Sequence, residues 1–151
     1  MSDDRANGFT LLELMVTIAV LAIISTIAIP SFQSMIDSRR VNGVALEIVG
    51  DLRLARTEAM RRGQEVTFNI DNESHSIELG NNELKAHTYD RPNVSVSATP
   101  ETINIAPRHG HPDTTLEVTV TGNSQRALTV SVNQVGLIRV CGTAGSHPPC
   151  E

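Results

Sequence analysis

The chain has 151 residues and a formal net charge of −5, which together indicate one compact domain with an excess of acidic groups. Because only 3% of the residues are aromatic and none is tryptophan, any core must consist mainly of aliphatic side chains. The acidic balance excludes a general attraction to nucleic acid, although it leaves room for a local basic patch.

The most informative segment is the apolar stretch from Phe9 to Ile29, FTLLELMVTIAVLAIISTIAI, in which Glu13 is the single charged residue among 21. A helix of this length spans about 31 Å, close to the hydrocarbon thickness of a bilayer. The stretch is longer than the apolar region of a signal peptide, and no small-residue cleavage site follows it. It therefore predicts a transmembrane helix that stays in the membrane.

Glu13 needs a partner, because a carboxylate in hydrocarbon costs several kcal/mol. If the chain is cut between Gly8 and Phe9, the new α-amino group lies four residues before Glu13, which is one turn of a helix. The helix dipole also favours an acid in the first turn. The carboxylate is equally suited to neutralise the amine of a neighbouring subunit. Assembly would then favour subunits that form this ion pair.

The run GFTLLELMVTIAVLAIISTIAIPSF resembles the class III signal of type IV pilins and pseudopilins. The resemblance implies that residues 1–8 are a leader, and that a prepilin peptidase cuts after Gly8 and methylates Phe9. It also implies that Glu13 acts in assembly and that Pro30 closes the apolar segment, where proline should kink the helix. A plain single-pass anchor is the alternative, but it leaves the Gly-Phe-Thr-Leu-Leu-Glu motif unexplained.

The same resemblance predicts location and partners. It implies a single-pass protein of the bacterial inner membrane with its C-terminal head in the periplasm, later built into a pilus or pseudopilus. Its partners would be the prepilin peptidase, membrane lipid, and other major and minor pilins or pseudopilins.

Beyond Pro30 we expect the helix to continue to Arg62 and to stop at Gly63. Its apolar residues recur at alternating spacings of four and three, at Val41, Ala45, Ile48, Leu52, Ala55 and Ala59. This stripe predicts packing against a sheet. A helix from Phe9 to Arg62 would be about 81 Å long, which no small domain can bury. The N-terminal half must therefore lie in lipid or among identical neighbours.

After Gly63 the hydrophobic pattern changes to a period of two, as in Val66, Phe68 and Ile70. A second strand should include Ile77 and Leu79, and later strands are expected at about 84–89, 93–98, 102–106, 115–121, 127–133 and 136–141. The predicted class is α+β, a pilin-like lollipop in which a long N-terminal helix precedes a C-terminal antiparallel β-sheet head.

A second motif narrows the family. The segment LRLARTEAMRR, followed by a strand that contains Val66-Thr67-Phe68, is similar to the helix end of the GspH/FimT group of minor pilins and pseudopilins. This resemblance implies a minor subunit of a type IV pilus or of the pseudopilus of type II secretion.

The FimT branch is associated with DNA uptake and tends to carry a Gly-Arg-x-Arg strand near the C-terminus. The matching stretch here is Gly136-Leu137-Ile138-Arg139, in which Leu137 replaces the first arginine. The resemblance therefore implies DNA binding at Arg139. The other basic side chains that could supplement it, if they lie on the same surface, are Arg108, Arg126, His109, His111 and His147. The alternative is a GspH-like pseudopilin that acts in protein secretion and does not bind DNA.

Cys141 and Cys150 are most simply a disulfide in an exported chain. A metal site that combines them with His147 is less favoured, since it offers only three ligands. We expect no metal and no other cofactor. Ser146 and His147 are adjacent, which is poor geometry for a nucleophile and its base, so the chain is predicted to be the substrate of an enzyme and not an enzyme.

The helix after Pro30 carries mixed charges. Its basic residues are Arg39, Arg40, Arg53, Arg56, Arg61 and Arg62, and its acidic residues are Asp37, Glu47, Asp51 and Glu58. Charges of both signs on a helix predict a solvated or subunit-facing surface.

Overall fold

The computed structural model describes residues 9–89, 91 and 93–150. In that part of the chain one long helix precedes eight strands, so the predicted α+β class is confirmed. The elements are α1 (Leu11–Arg62), β1 (Val66–Ile70), β2 (Ser74–Leu79), β3 (Asn82–Thr88), β4 (Val94–Thr99), β5 (Thr102–Ile105), β6 (Leu116–Gly122), β7 (Ala127–Val132) and β8 (Ile138–Gly142).

The chain divides into two compact units, Met1–Met35 and Ile36–Glu151. The described residues of the first unit belong mainly to the first part of α1. The second unit holds the rest of α1, all of these strands and the apolar core.

The strands form two antiparallel sheets. The first sheet has the order β3-β2-β1-β5, and the second has the order β4-β6-β7-β8. The sequence pattern located the strands but suggested one sheet. The division arises because β4 pairs with β6 while β5 pairs with β1, so the chain changes sheets three times between β3 and β6.

The core of the second unit is aliphatic, as the composition requires. Every residue of the predicted α1 stripe is buried, namely Val41, Ala45, Ile48, Leu52, Ala55 and Ala59. The strands alternate buried and partly exposed residues, most regularly in β1 and β7. Phe68 is the largest fully buried side chain. Burial of each large aliphatic or aromatic side chain contributes about 1.5–3 kcal/mol, so this layered packing is the main source of stability.

The C-terminus of α1 lies where the sequence predicts it. Gly63 has a φ of +65°, and its N–H donates to the carbonyl oxygen of Ala59 at 3.0 Å. A residue with a side chain would be strained at this φ, which explains the glycine. Arg61 and Arg62 both contact Glu58 in the last turns.

Asp37 and Asp51 correct the expectation of a solvated charged face, because they are only 6% and 5% exposed. Asp37 accepts a hydrogen bond of 2.6 Å from the backbone N–H of Ser124, in the turn between β6 and β7. Hydrogen bonds from the Ser124 backbone outweigh burial and lower the pKa of Asp37. This carboxylate therefore attaches the helix to the second sheet.

Asp51 attaches the helix to the first sheet. One of its oxygens lies 2.6 Å from Lys85 Nζ on β3, and the other lies 2.7 Å from His75 Nε2 on β2. His75 Nδ1 lies 2.8 Å from the hydroxyl of Tyr89. Because a carboxylate accepts, His75 donates through Nε2, and Tyr89 donates to Nδ1 when the ring is neutral. The buried imidazole is thus satisfied on both sides without a charge.

Burial lowers the pKa of His75 and raises the pKa of the Tyr89 phenol. Burial alone would raise the pKa of Asp51, but hydrogen bonds from Lys85 and His75 outweigh it, and the pKa is lowered. Both His75 and Asp51 therefore bind protons more readily in the unfolded chain than in the folded one.

This difference predicts acid sensitivity. A fragment that begins at Ile36 should lose free energy of unfolding as the pH falls below about 6.5, where the unfolded His75 becomes protonated. A further loss is expected below about pH 4, where the unfolded Asp51 becomes protonated. Urea unfolding followed at a series of pH values measures both steps.

His75→Gln should remove the loss near neutral pH and leave the loss below pH 4 in place. His111→Gln is the matched control, because His111 is exposed, and its pH profile should equal that of the unchanged fragment. An unaltered step near neutral pH in His75→Gln would contradict the assignment to His75.

Candidate functional site

The first part of α1 is apolar around its whole circumference. From Leu11 to Ile29 its large hydrophobic side chains are all exposed within the chain. By length and composition α1 is the one described helix that could cross a membrane. Such a surface must be covered by lipid or by other protein, since the exposure of so much apolar surface to water is unfavourable.

The hydroxyl groups in this segment need no outside partner. Thr17, Ser25 and Thr26 each donate to a carbonyl oxygen three or four residues earlier, at 2.7 to 2.8 Å. Such bonds are a common way to satisfy hydroxyl groups in an apolar helix. By contrast, Glu13 has no ion-pair partner among residues 9–89, 91 and 93–150. The carboxylate is therefore the polar group for which a partner must be found.

The start of α1 differs from the prediction. The helix begins at Leu11 and not at Phe9, because Thr10 Oγ1 accepts a hydrogen bond of 3.2 Å from the N–H of Glu13. This is the N-cap half of a capping box, and the Thr-Leu-Leu-Glu spacing could have revealed it in the sequence. Phe9 therefore precedes the helix and does not belong to its first turn.

The calls on two other residues, the processing residue Gly8 and the kink residue Pro30, stay predictions. Gly8, the expected cleavage residue, lies outside the described residues. Pro30 lies inside α1, and the helix is continuous on both sides of it. The kink at Pro30 stays a prediction.

The structural role of Arg56 was not predicted from the sequence, because a charged side chain on a helix suggested a solvated or subunit-facing position. Its Nη1 donates to the carbonyl oxygen of Gly136 at 3.0 Å, and its Nη2 donates to that of His109 at 3.4 Å. Gly136 belongs to the turn 133–137 between β7 and β8, and His109 belongs to the loop 106–112 after β5. One guanidinium group thus holds two separate segments against α1.

The glycines of these two segments make room for Arg56. A Cβ atom on Gly110 would lie 2.5 Å from Arg56 Cγ, and one on Gly136 would lie 2.9 Å from Arg56 Nη1. Both glycines also have positive φ angles, +63° and +78°. Any other residue there would add backbone strain and a steric clash. Because Gly136 is a turn residue, β8 begins at Ile138 and not at 136 as predicted.

The three arginines considered for DNA binding lie at different places. Arg139 is exposed on β8 opposite Ser131, close to the turn 133–137. Arg108 is exposed in the loop that Arg56 holds. Arg126 precedes β7, about 17 Å along the strand from Ser131, and donates to the carbonyl oxygen of Thr143 at 2.9 Å. The structure therefore brings Arg108 and Arg139 to one end of the second sheet and places Arg126 at the other.

Cys141 and Cys150 form a disulfide. The segment that the disulfide closes folds back on the chain. The N–H of Gly142 donates to the carbonyl oxygen of Pro148, and His147 Nε2 lies 2.9 Å from Asn42 Oδ1 on α1. Among the described residues no group of three metal-ligating side chains is found, so the metal alternative with His147 has no geometric support.

The role of Arg56 can be tested against a neighbour on the same helix. Arg56→Met should lower the free energy of unfolding by about 1–3 kcal/mol, because two backbone carbonyls lose a charged donor. It should also speed proteolysis in the loop 106–112 and the turn 133–137.

Arg53→Met is the matched control, three residues away and exposed, and should change stability by no more than about 0.5 kcal/mol. Chemical unfolding and limited proteolysis of both variants give the comparison. Equal effects of the two substitutions would mean that Arg56 does not hold these segments.

Comparison with known proteins gives relatives for both parts of the chain. The family described as Type II transport protein GspH matches residues 44–136, and the prokaryotic N-terminal methylation motif matches residues 3–29. A probable minor fimbrial protein of Dichelobacter nodosus is 29% identical over 94 residues, which cover 62% of this chain and 58% of that protein. The type IV major fimbrial protein FimA of the same organism is 40% identical over 59 residues, 39% of this chain and 37% of that protein.

The matched region thus spans about 58% of the length of the curated minor fimbrial relatives. Among solved structures, the type IV minor pilin FimU of Pseudomonas aeruginosa has a TM-score of 0.61 at 15% identity, covering 75% of this chain and 96% of that one. The minor pseudopilin EpsH of the Vibrio cholerae Type 2 Secretion System has a TM-score of 0.57 at 14% identity, covering 70% and 99%. At these identities the likeness shows the fold.

The two family matches agree with the two parts of the structure. The methylation motif covers the exposed apolar part of α1, and the GspH match covers the packed part of α1 and the strands up to the turn 133–137. Because that second match extends over more than half of the residues, this chain belongs to the GspH family of type IV pilin-like proteins.

Proposed function

We propose that the chain is a minor pilin or pseudopilin, anchored in a membrane by the first part of α1 and built into an envelope filament through the same surface. The observation that carries the proposal is an apolar helix surface, exposed on all sides, with one acid, Glu13, that has no ion-pair partner in the described part of the chain. The names of its relatives, which include minor fimbrial proteins and a minor pseudopilin, support it.

The proposal includes processing and location. A prepilin peptidase would cut after Gly8 and methylate Phe9 before assembly in the bacterial inner membrane, with the second unit in the periplasm. The capped first turn at Thr10 is consistent with processing at Phe9. It leaves Phe9 outside the helix, where a peptidase can reach the peptide bond and where the new amine can meet a carboxylate of its own or a neighbouring chain.

Glu13→Val tests the pairing. Membrane insertion should be unchanged, because the substitution removes a costly charge from the apolar segment. Incorporation into filaments should fall severalfold, because the amine of Phe9 or of a neighbouring subunit loses its partner. The measurement compares the amount of the chain in the membrane fraction with the amount in sheared filaments.

Thr17→Val is the matched control, since it removes a hydroxyl that already bonds within the helix and should leave both amounts unchanged. The mature chain in each fraction should begin at Phe9. Normal incorporation of Glu13→Val, or a chain that still begins at Met1, would contradict the proposal.

A FimT-like contribution to DNA uptake is the second candidate. It is supported by Arg139, which is exposed and has no ion-pair partner in the described part of the chain. Arg139 lines an open groove of about 620 Å³ together with Ser131, Pro148 and Pro149. The alternative is a GspH-like pseudopilin of type II secretion, which needs no nucleic-acid site.

Titration of a fragment from Ile36 with duplex DNA at several salt concentrations separates these alternatives. If DNA binds at Arg139, Arg139→Ala should reduce the slope of log affinity against log salt by about one, as expected for one lost phosphate contact. Arg126→Ala is the control, because Arg126 lies at the other end of β7. Absence of binding at low salt would remove the DNA role and favour secretion.

A further inference from the structure

A groove of about 310 Å³ in the second unit has no role in the functions proposed above. It lies between α1 and the turn 133–137 and is lined by Arg53, Arg56, Val135, Gly136, Leu137 and Ile138. Its shape is fixed, because Arg56 donates to Gly136 and holds the turn at a set distance from the helix. A preformed groove binds a ligand at lower entropic cost than a mobile one.

The groove has an excess of positive charge. Arg53 and Arg56 are neighbours one turn apart on the helix. Neither forms a salt bridge with any residue in 9–89, 91 or 93–150. By contrast, Arg61 and Arg62 in the next turn share Glu58. Two guanidinium groups on one face without a carboxylate repel each other and favour an anion between or beside them.

The other wall of the groove is aliphatic. Val135 is 61% exposed and Leu137 is 48% exposed, on either side of Gly136. Turns of this kind usually carry small polar residues. Two large aliphatic side chains at a turn that is fixed from behind offer apolar contact area to a partner.

We propose that this groove binds an acidic segment of a partner protein, with a carboxylate on Arg53 and aliphatic side chains against Val135 and Leu137. Arg56 is a positioning residue, because its hydrogen bonds to two backbone carbonyls hold the turn in place. The match is one of charge and polarity: a guanidinium without a salt bridge to any described residue, beside exposed aliphatic groups, suits a carboxylate flanked by aliphatic residues.

A nucleic acid fits the groove less well. Its backbone would use Arg53 but would leave Val135 and Leu137 without apolar contacts. The net charge of −5 also repels a polyanion at long range, whereas a short acidic segment is held by local contacts. The proposal concerns the second unit alone and does not depend on how the first part of α1 is used.

The test uses the full chain in detergent micelles with isotope-labelled valine and leucine methyl groups. The probes are a short capped peptide of alternating leucine and glutamate, the same peptide with glutamine, and a short DNA duplex. The glutamate peptide should shift the methyl signals of Val135 and Leu137 and should bind about threefold to fivefold more tightly than the glutamine peptide, as expected for one exposed ion pair.

Arg53→Gln should remove the difference between the two peptides, and Leu137→Ser should weaken both. Arg61→Gln is the control on the same helix and should change nothing. Equal affinity of the two peptides in the unchanged protein, or the absence of shifts at Val135 and Leu137, would overturn the proposal. Tighter binding of DNA than of the glutamate peptide, lost in Arg53→Gln, would overturn it in favour of nucleic acid.

Discussion

The fold depends on one helix, α1, whose first part is apolar and exposed and whose second part packs on the core of the second unit. Up to Ile29, α1 is apolar on every side, and its large hydrophobic side chains are exposed in the described structure. From Val41 onward the stripe that includes Ile48 and Ala55 is buried in the core, and the exposed side carries charged residues together with Leu46, Leu54 and Met60. Because a stripe of alternating four and three spacings can cover only one side of a helix, the opposite side is free for charges. The pattern thus changes, within a single element, from an exposed apolar part to a part that packs on the core of the second unit.

Polar side chains of α1 then fix which strands meet the helix and where. Asp37 binds the turn before β7, Asp51 binds His75 and Lys85 of the first sheet, and Arg56 binds the turn before β8. Aliphatic packing alone tolerates sliding and rotation, whereas a buried carboxylate is strongly penalised when it leaves its donors. These three groups lie at successive levels of the helix, so they define its position with respect to both sheets of the second unit.

Much of this could be read from the sequence, because periodicity is a local signal. The stripe from Val41 to Ala59 and the approximate positions of the strands were predictable from spacing, and the stop at Gly63 was predictable from the residue type. The exchange of β4 and β5 between sheets was not, since alternation shows which residues face a core and not which strands pair. The burial of Asp51 and the role of Arg56 depend on groups 24 or more residues away, such as His75 and Gly136. Such contacts have no local signature. Gly110 and Gly136, in short loops, were the one indication that a side chain approaches the backbone there.

Charge distribution, more than total charge, decides what the second unit can recognise. An acidic protein repels other acidic molecules at a distance, so a productive contact requires a local site at which positive charge is not already neutralised. In the part of α1 that belongs to the second unit, the acids contact groups of the same chain: Asp37 and Asp51 are buried, Glu47 contacts His87, and Glu58 is shared by Arg61 and Arg62. Arg53 therefore remains exposed without a carboxylate partner among the described residues, next to the turn that Arg56 holds by a hydrogen bond to Gly136. Specificity then comes from the combination of this cation with the aliphatic groups of the turn, because each of them alone would contribute little at an exposed surface.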